Sequence, residues 1–138
     1  MTAIDTNVLL DIAIGEEPFA ARAMRALDGV SGGFSIAPVV VAELFAHPGW
    51  DQADVEPFVA AVGANVAWAL ERATWLCAAE AFAAYAGRRR KSGSKDVPRR
   101  LIADFLIGAH ATSVGSLITR DAAFFRRAFP TLVLIEPH

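Results

Sequence analysis

The sequence predicts an α/β fold: a central, mostly parallel sheet of about five short strands flanked by helices. Two observations predict it. Short apolar runs closed by Gly, Pro or polar turns alternate with longer segments of helical spacing from one end of the chain to the other, the pattern of parallel strands joined by crossover helices. Alanine fills 28 of the 138 positions, and it is both the best helix former and a residue that permits close helix packing. With 54% apolar and 20% charged residues and a mean hydropathy of +0.38, intrinsic disorder is excluded as the overall state. The length fits one domain over residues 1–138 with a core large enough to stand without cross-links.

Each element has a local reason. Thr2 to Asp5 is a short apolar run closed by a polar turn, hence a strand. Asn7 to Ile14 is apolar at 8, 9, 10, 12, 13 and 14 and stops at Gly15, a short buried helix with a glycine end. Pro18 to Leu27 has its apolar residues at 19, 20, 23, 24 and 27, a second helix broken by Gly32-Gly33. Phe34 to Ala37 is the second strand. Pro38 then sits in the first turn of a helix, where its missing N–H is no loss, and that helix runs to about Ala46.

Asp51 to Val62 reads as a helix, with Pro57 working against its continuity. Asn65 to Trp68 is a weak strand. Glu71 to about Arg90 is a long Ala-rich helix, and Lys91 to Val97, with Ser92-Gly93-Ser94, reads as an exposed loop. Pro98 to about Ser113 is helical, Ser116 to Thr119 a strand, Ala122 to Ala128 a short helix before Pro130, and Leu132 to Ile135 the last strand.

The net charge of −2 hides a strong asymmetry. Seven of the 13 basic residues fall between positions 88 and 100: Arg88, Arg89, Arg90, Lys91, Lys95, Arg99 and Arg100, opposed only by Asp96. The rest of the chain carries 6 basic and 14 acidic residues. The single Cys77 excludes an internal disulfide and any multi-cysteine metal site, which fits a reducing, cytoplasmic location. No stretch is apolar for long enough to cross a bilayer, and no basic segment followed by an apolar run marks a signal peptide.

Ligands of open parallel sheets bind outside the carboxyl ends of the strands, so the acids near those ends are the candidates for chemistry. Asp5 ends the first strand, as a metal ligand or as the cap of the next helix. Glu43 is the only charged residue between Asp28 and Asp51, on a helix otherwise apolar; it either faces water or has a partner. Asp104 interrupts Leu101-Ile102-Ala103 and Phe105-Leu106-Ile107. Gly108 at i+4 predicts open space beside it, and Arg100 at i−4 offers a surface ion pair. Asp121 stands between a strand and a helix, as a ligand or a cap. Two carboxylates about 4 Å apart repel by roughly 4 kcal/mol at an effective dielectric near 20, so four converging anions need a cation. An all-oxygen set suits Mg²⁺ or Mn²⁺ rather than zinc.

These residues stand in segments that resemble a known family. Ile4-Asp5-Thr6-Asn7-Val8-Leu9-Leu10, Pro38-Val39-Val40-Val41-Ala42-Glu43-Leu44, Asp104-Phe105-Leu106-Ile107-Gly108-Ala109-His110-Ala111, Leu117-Ile118-Thr119-Arg120-Asp121 and Phe129-Pro130-Thr131-Leu132 are together similar to the PIN-domain nucleases, specifically the VapC-type toxins of bacterial toxin–antitoxin pairs. The resemblance spans essentially the whole chain and implies a three-layer PIN-like fold. It implies an endoribonuclease using Mg²⁺ or Mn²⁺, in which in-line attack by a metal-activated water leaves a 5′-phosphate and a 3′-hydroxyl. Asp5, Glu43, Asp104 and Asp121 match the family's acidic quartet, with Asp5 and Asp104 as the central metal ligands. Thr6, Asn7 and Thr119 match polar positions that orient the acids or the water. It also implies a homodimer and a small antitoxin that inserts residues into the active-site cleft.

The basic run from Arg88 to Arg100 precedes the Asp104 segment and is read as a set of phosphate contacts for RNA. Trp50, Trp68 and Trp75 are read as core or dimer-interface residues. Phe19, Met24 and Leu27, or else Val55, Phe58 and Val62, are the candidate dimer surfaces. His110 is read as a helix-surface or core residue, not a ligand. The alternative to an enzyme is a non-catalytic PIN fold that binds RNA or protein, against which the retention of all four acids argues. A phosphohydrolase with an aspartyl nucleophile is disfavoured because Asn7, not an acid, stands two residues after Asp5.

Overall fold

Strands and helices alternate along the computed structural model, which describes residues 1–93 and 99–138. The order is β1 (Thr2–Ile4), α1 (Thr6–Ile14), α2 (Phe19–Asp28), β2 (Phe34–Ile36), α3 (Pro38–Phe45), α4 (Gln52–Val62), β3 (Ala64–Val66), α5 (Arg72–Ser92), α6 (Ile102–Val114), β4 (Ser116–Ile118), α7 (Ala122–Ala128) and β5 (Val133–Ile135). The strands form one sheet in the order β3-β2-β1-β4-β5, with every pairing parallel. The chain first builds outward from β1 through β2 to β3, then returns to add β4 and β5 on the other side. The strand order therefore reverses between β1 and β4, and a crevice opens there at the carboxyl ends, the place where such sheets bind ligands.

The core follows the apolar pattern. Ile4, Ile36, Leu117 and Ile118 of the sheet are fully buried with Val8, Leu9, Val40, Leu44, Phe105 and Phe125 of the helices. Helix α6 packs against α5 and also meets β1, β2, β4 and α3, so the helix that carries Asp104 lies over the middle of the sheet. His110 on α6 is buried, its Nε2 2.9 Å from the Ser35 hydroxyl of β2, and burial lowers its pKa. That places it in the core, one of the two positions the sequence leaves open. Pro57 does not break α4, which Asp51 caps by accepting from the Ala53 N–H at 2.9 Å.

Two boundaries differ from the sequence expectation. Helix α5 extends through Lys91 and Ser92 to Gly93, at φ 61°, instead of giving way to a loop at Lys91. Arg89, Arg90 and Lys91 lie in its last turn, where cations are favourable to the helix dipole. Helix α6 begins at Ile102, not at Pro98. Arg99 and Arg100 are not helical, because the Arg100 N–H is donated to the Tyr85 hydroxyl at 2.8 Å and Leu101 is an extended N-cap. Lys95, Asp96 and Pro98 lie outside the described residues.

The aromatic and dimer expectations are corrected in part. Trp50 is half-buried between His47 and Phe58, with ring centroids at 5.4 and 5.2 Å. Trp68 and Trp75 are 68% and 53% exposed and belong to no core. Phe19 and Met24 are exposed, but Leu27 and Val55 are core residues and supply no surface.

Candidate active site

Asp5 follows β1 and stands at the N-cap position of α1, yet its side chain does not cap the helix. One carboxylate oxygen, Oδ2, accepts instead from the Thr119 hydroxyl at 2.7 Å, across the β1–β4 crevice. Thr119 is fully buried and uses its hydroxyl twice, since it also accepts from the Asp121 N–H at 2.9 Å. One threonine therefore fixes both the first acid and the backbone of the fourth. On the other side of Asp5, the Thr6 hydroxyl donates to Glu43 Oε1 at 2.7 Å, so the lone acid of α3 is held toward the start of α1 rather than left in water. Thr6 and Thr119 thus each donate a hydrogen bond to one of the candidate acids. Asn7 Oδ1 accepts from the Arg120 N–H at 3.4 Å, in the loop after β4.

Asp104 lies in the first turn of α6, where Oδ2 accepts from the Leu101 N–H at 3.3 Å. Its expected partner is elsewhere. Arg100 forms its ion pair with Asp121, while its guanidinium carbon lies 4.3 Å from the centroid of the Phe124 ring. Arg100 stands outside the helix and makes no i−4 ion pair with Asp104, although its charge still lowers the Asp104 pKa. Nor is there open space at Gly108: Phe129 fills it. Asp121 stands at the N-cap position of α7 without capping it through its side chain.

The acids influence one another. Burial raises the Asp5 pKa from 3.8 to about 6, against the Thr119 hydrogen bond; Asp104 and Glu43 raise it further as like charges. Burial raises Glu43, opposed by the Thr6 hydrogen bond and helped by Asp104. Burial raises Asp104 as well, with Arg100 lowering it and Asp121 raising it. Asp5, Glu43 and Asp104 thus act on one another as like charges, and Asp121 acts on Asp104. The donor set is all oxygen, which fits Mg²⁺ or Mn²⁺. Among the described residues, no three Asp, Glu, His or Cys side chains are gathered closely enough to hold an ion as they stand.

Two contacts that sequence reasoning missed support this arrangement. Arg120 Nε lies 2.7 Å from Asp11 Oδ2, tying the loop between Thr119 and Asp121 to α1. Tyr85 holds the backbone of Arg100. No local signal marks either pair, because the partners are far apart in the chain. Thr119→Val is expected to cost about 1–3 kcal/mol, since a valine of the same shape leaves the Asp121 N–H and an Asp5 oxygen without the hydroxyl. Urea unfolding checks this, with Thr119→Ser expected to stay close to wild type.

Comparison with known proteins gives a consistent picture. The family model described as PIN domain matches residues 2–130. Among solved structures, the chain is similar to one from the VapBC-1 complex of nontypeable Haemophilus influenzae, at 20% identity, covering 98% of this chain and 96% of that one with a TM-score of 0.63. It is similar to one from FitAcB of Neisseria gonorrhoeae, at 17% identity, 99% and 98% coverage and a TM-score of 0.64. A chain of a toxin–antitoxin complex from Klebsiella pneumoniae matches at 19% identity, 96% coverage of both and a TM-score of 0.62. No curated protein matches the chain by sequence.

Proposed function

This chain belongs to the PIN domain family, and on that premise we propose that it is a metal-dependent endoribonuclease acting as the toxin of a toxin–antitoxin pair. Nuclease activity is the general activity of the family. The observation that supports the reading is that Asp5, Glu43 and Asp104, distant in sequence, act on one another as like charges beside the place where the strand order reverses, with Asp121 acting on Asp104. Asp5 and Asp104 would hold a Mg²⁺ or Mn²⁺ ion, with Glu43 and Asp121 beside them. When bound, such an ion lowers the pKa of water and offsets the charge that builds on a phosphodiester during hydrolysis. The protein's part is to orient carboxylates before substrate arrives. Thr119 fixes Asp5, Thr6 fixes Glu43, and Arg100 neutralises Asp121.

The basic residues Arg88, Arg89, Arg90, Lys91, Arg99 and Arg100, with Lys95 outside the described segment, supply phosphate contacts beside that site. The three solved complexes named above make a protein antitoxin the natural second partner, and the exposed Phe19 and Met24 are the candidate surface for a homodimer. Among the described residues no helix is long and apolar enough to cross a membrane, and with one unpaired cysteine a cytoplasmic location is proposed.

The Arg100–Asp121 pair favours a second reading, a non-catalytic fold in which the fourth acid is spent on structure. One experiment separates the two. Purified protein with Mn²⁺ or Mg²⁺ is expected to cut total RNA, EDTA to stop it, and Asp104→Asn to remove it with the circular dichroism spectrum unchanged. Equal cleavage by wild type and Asp104→Asn overturns the nuclease assignment.

A further inference from the structure

An open groove of about 510 Å³ separates the end of α5 from α7 and reaches Asp121, a volume within the range of small-ligand sites. Arg88 and Arg89 line it from α5, Arg127 from α7 and Arg100 from the segment before α6. Among the described residues Asp121 is the only acid in its lining, and Arg100 is already paired with it. Among the described residues, Arg88, Arg89 and Arg127 enter no ion pair, whereas the neighbouring Arg126 is paired with Glu136 at 3.4 Å. Like charges held along one groove repel each other, and a polyanion relieves that repulsion.

The aromatic lining decides which polyanion. Tyr85 and Phe124 face the same groove, and the Arg100 guanidinium lies over the Phe124 ring. Aromatic rings and guanidinium planes are surfaces on which unpaired bases stack, while a duplex keeps its bases inside. An acidic peptide would match the charge but offers no base to stack on the guanidinium plane that Arg100 holds over Phe124.

We propose that the α5–α7 groove is the track along which a single strand of RNA reaches the acidic site, with Arg127 holding a backbone phosphate opposite Arg88. The proposal rests on the ribonuclease reading of that site and adds a residue that stands far from the basic run in the sequence. Arg127 joins that run only through the fold.

The test reads binding separately from cleavage. The full-length protein in EDTA is titrated with a fluorescein-labelled single-stranded RNA of about 12 nucleotides, followed by anisotropy over a range of NaCl concentrations. Arg127→Ala is expected to weaken binding roughly three- to tenfold and to flatten the salt slope by about 0.7. Arg126→Ala removes the same charge from the same helix and is expected to bind as wild type. Wild-type affinity in Arg127→Ala, or an equal loss in Arg126→Ala, overturns the proposal. So does a duplex of the same sequence that binds as tightly, or an acidic peptide bound through Arg127 by a protein with no affinity for RNA. Arg127-dependent binding without cleavage in Mn²⁺ supports the groove and removes the nuclease reading. Cleavage with an affinity indifferent to Arg127 keeps the nuclease and removes the groove.

Discussion

Asp5→Asn is expected to lower RNA cleavage on the order of a thousandfold and, at the same time, to make the metal-free protein more stable at pH 7. The two effects have one cause. Asp5 is 6% exposed, and burial next to Asp104 and Glu43 raises its pKa from 3.8 to about 6. A carboxyl whose pKa is raised by folding contributes stability that is fully present below about pH 4 and is lost as pH rises through about 6. Above that pH the fold holds a charge it would hold more cheaply if protonated, a cost of about 3 kcal/mol for a shift of this size. Asparagine stays neutral and still offers an acceptor to the Thr119 hydroxyl. In EDTA at pH 7 the variant is expected to melt several degrees above wild type, with the difference closing toward pH 4. Saturating Mn²⁺ is expected to raise the wild-type Tm, since a ligand of the native state alone stabilises it, and to leave Asp5→Asn nearly unmoved. Differential scanning calorimetry at pH 4, 5, 6 and 7, with EDTA or Mn²⁺, measures all of this. A variant less stable than wild type at pH 7 in EDTA would show that the Asp5 charge is satisfied by the protein alone.

The candidate site is legible in the sequence because its acids are exceptions to the apolar pattern. Glu43 and Asp104 stand out as lone acids on apolar helices, and both are half-buried in the fold, where a carboxylate needs a partner. Asp5 and Asp121 stand out by falling where apolar strands end. The alternation of strand and helix is equally local, and every strand appears within a residue or two of its expected place. What is not legible is partner choice across the chain. Arg100 has Asp104 at helical spacing and Asp121 only through the fold, and the fold decides for Asp121 because the helix starts after Arg100. Thr119 reads as one polar residue at a strand end, and nothing local shows that its hydroxyl serves two acids. Trp68 and Trp75 have core-type side chains, but their exposure depends on which face of the chain the rest of the molecule covers.

Gly108→Ala is expected to destabilise the protein by about 2 kcal/mol or more, although alanine is the better helix former by up to about 1 kcal/mol. Sequence spacing puts open space at Gly108, one turn beyond Asp104, but the ring of Phe129 occupies it. A Cβ at position 108 would lie well inside the 3.0 Å limit that real Cβ contacts respect. Phe129 is only 4% exposed and stacked on Phe125 at 6.4 Å between ring centroids, so it has little room to retreat. The missing side chain therefore sets how closely α6 approaches the chain after α7, and α6 carries Asp104 toward Asp5. Relief of the clash by moving the helix would shift the acid as well, so RNA cleavage should fall alongside stability. Phe129→Leu is the control, since a smaller and more flexible side chain makes room. Combined with Gly108→Ala it should cost less than the sum of the two single changes, the non-additivity of residues in contact. Urea unfolding of both single variants and the double variant gives the coupling directly. A Gly108→Ala protein as stable as wild type would mean that Phe129 yields freely, and that the closeness of α6 to this ring does not place Asp104.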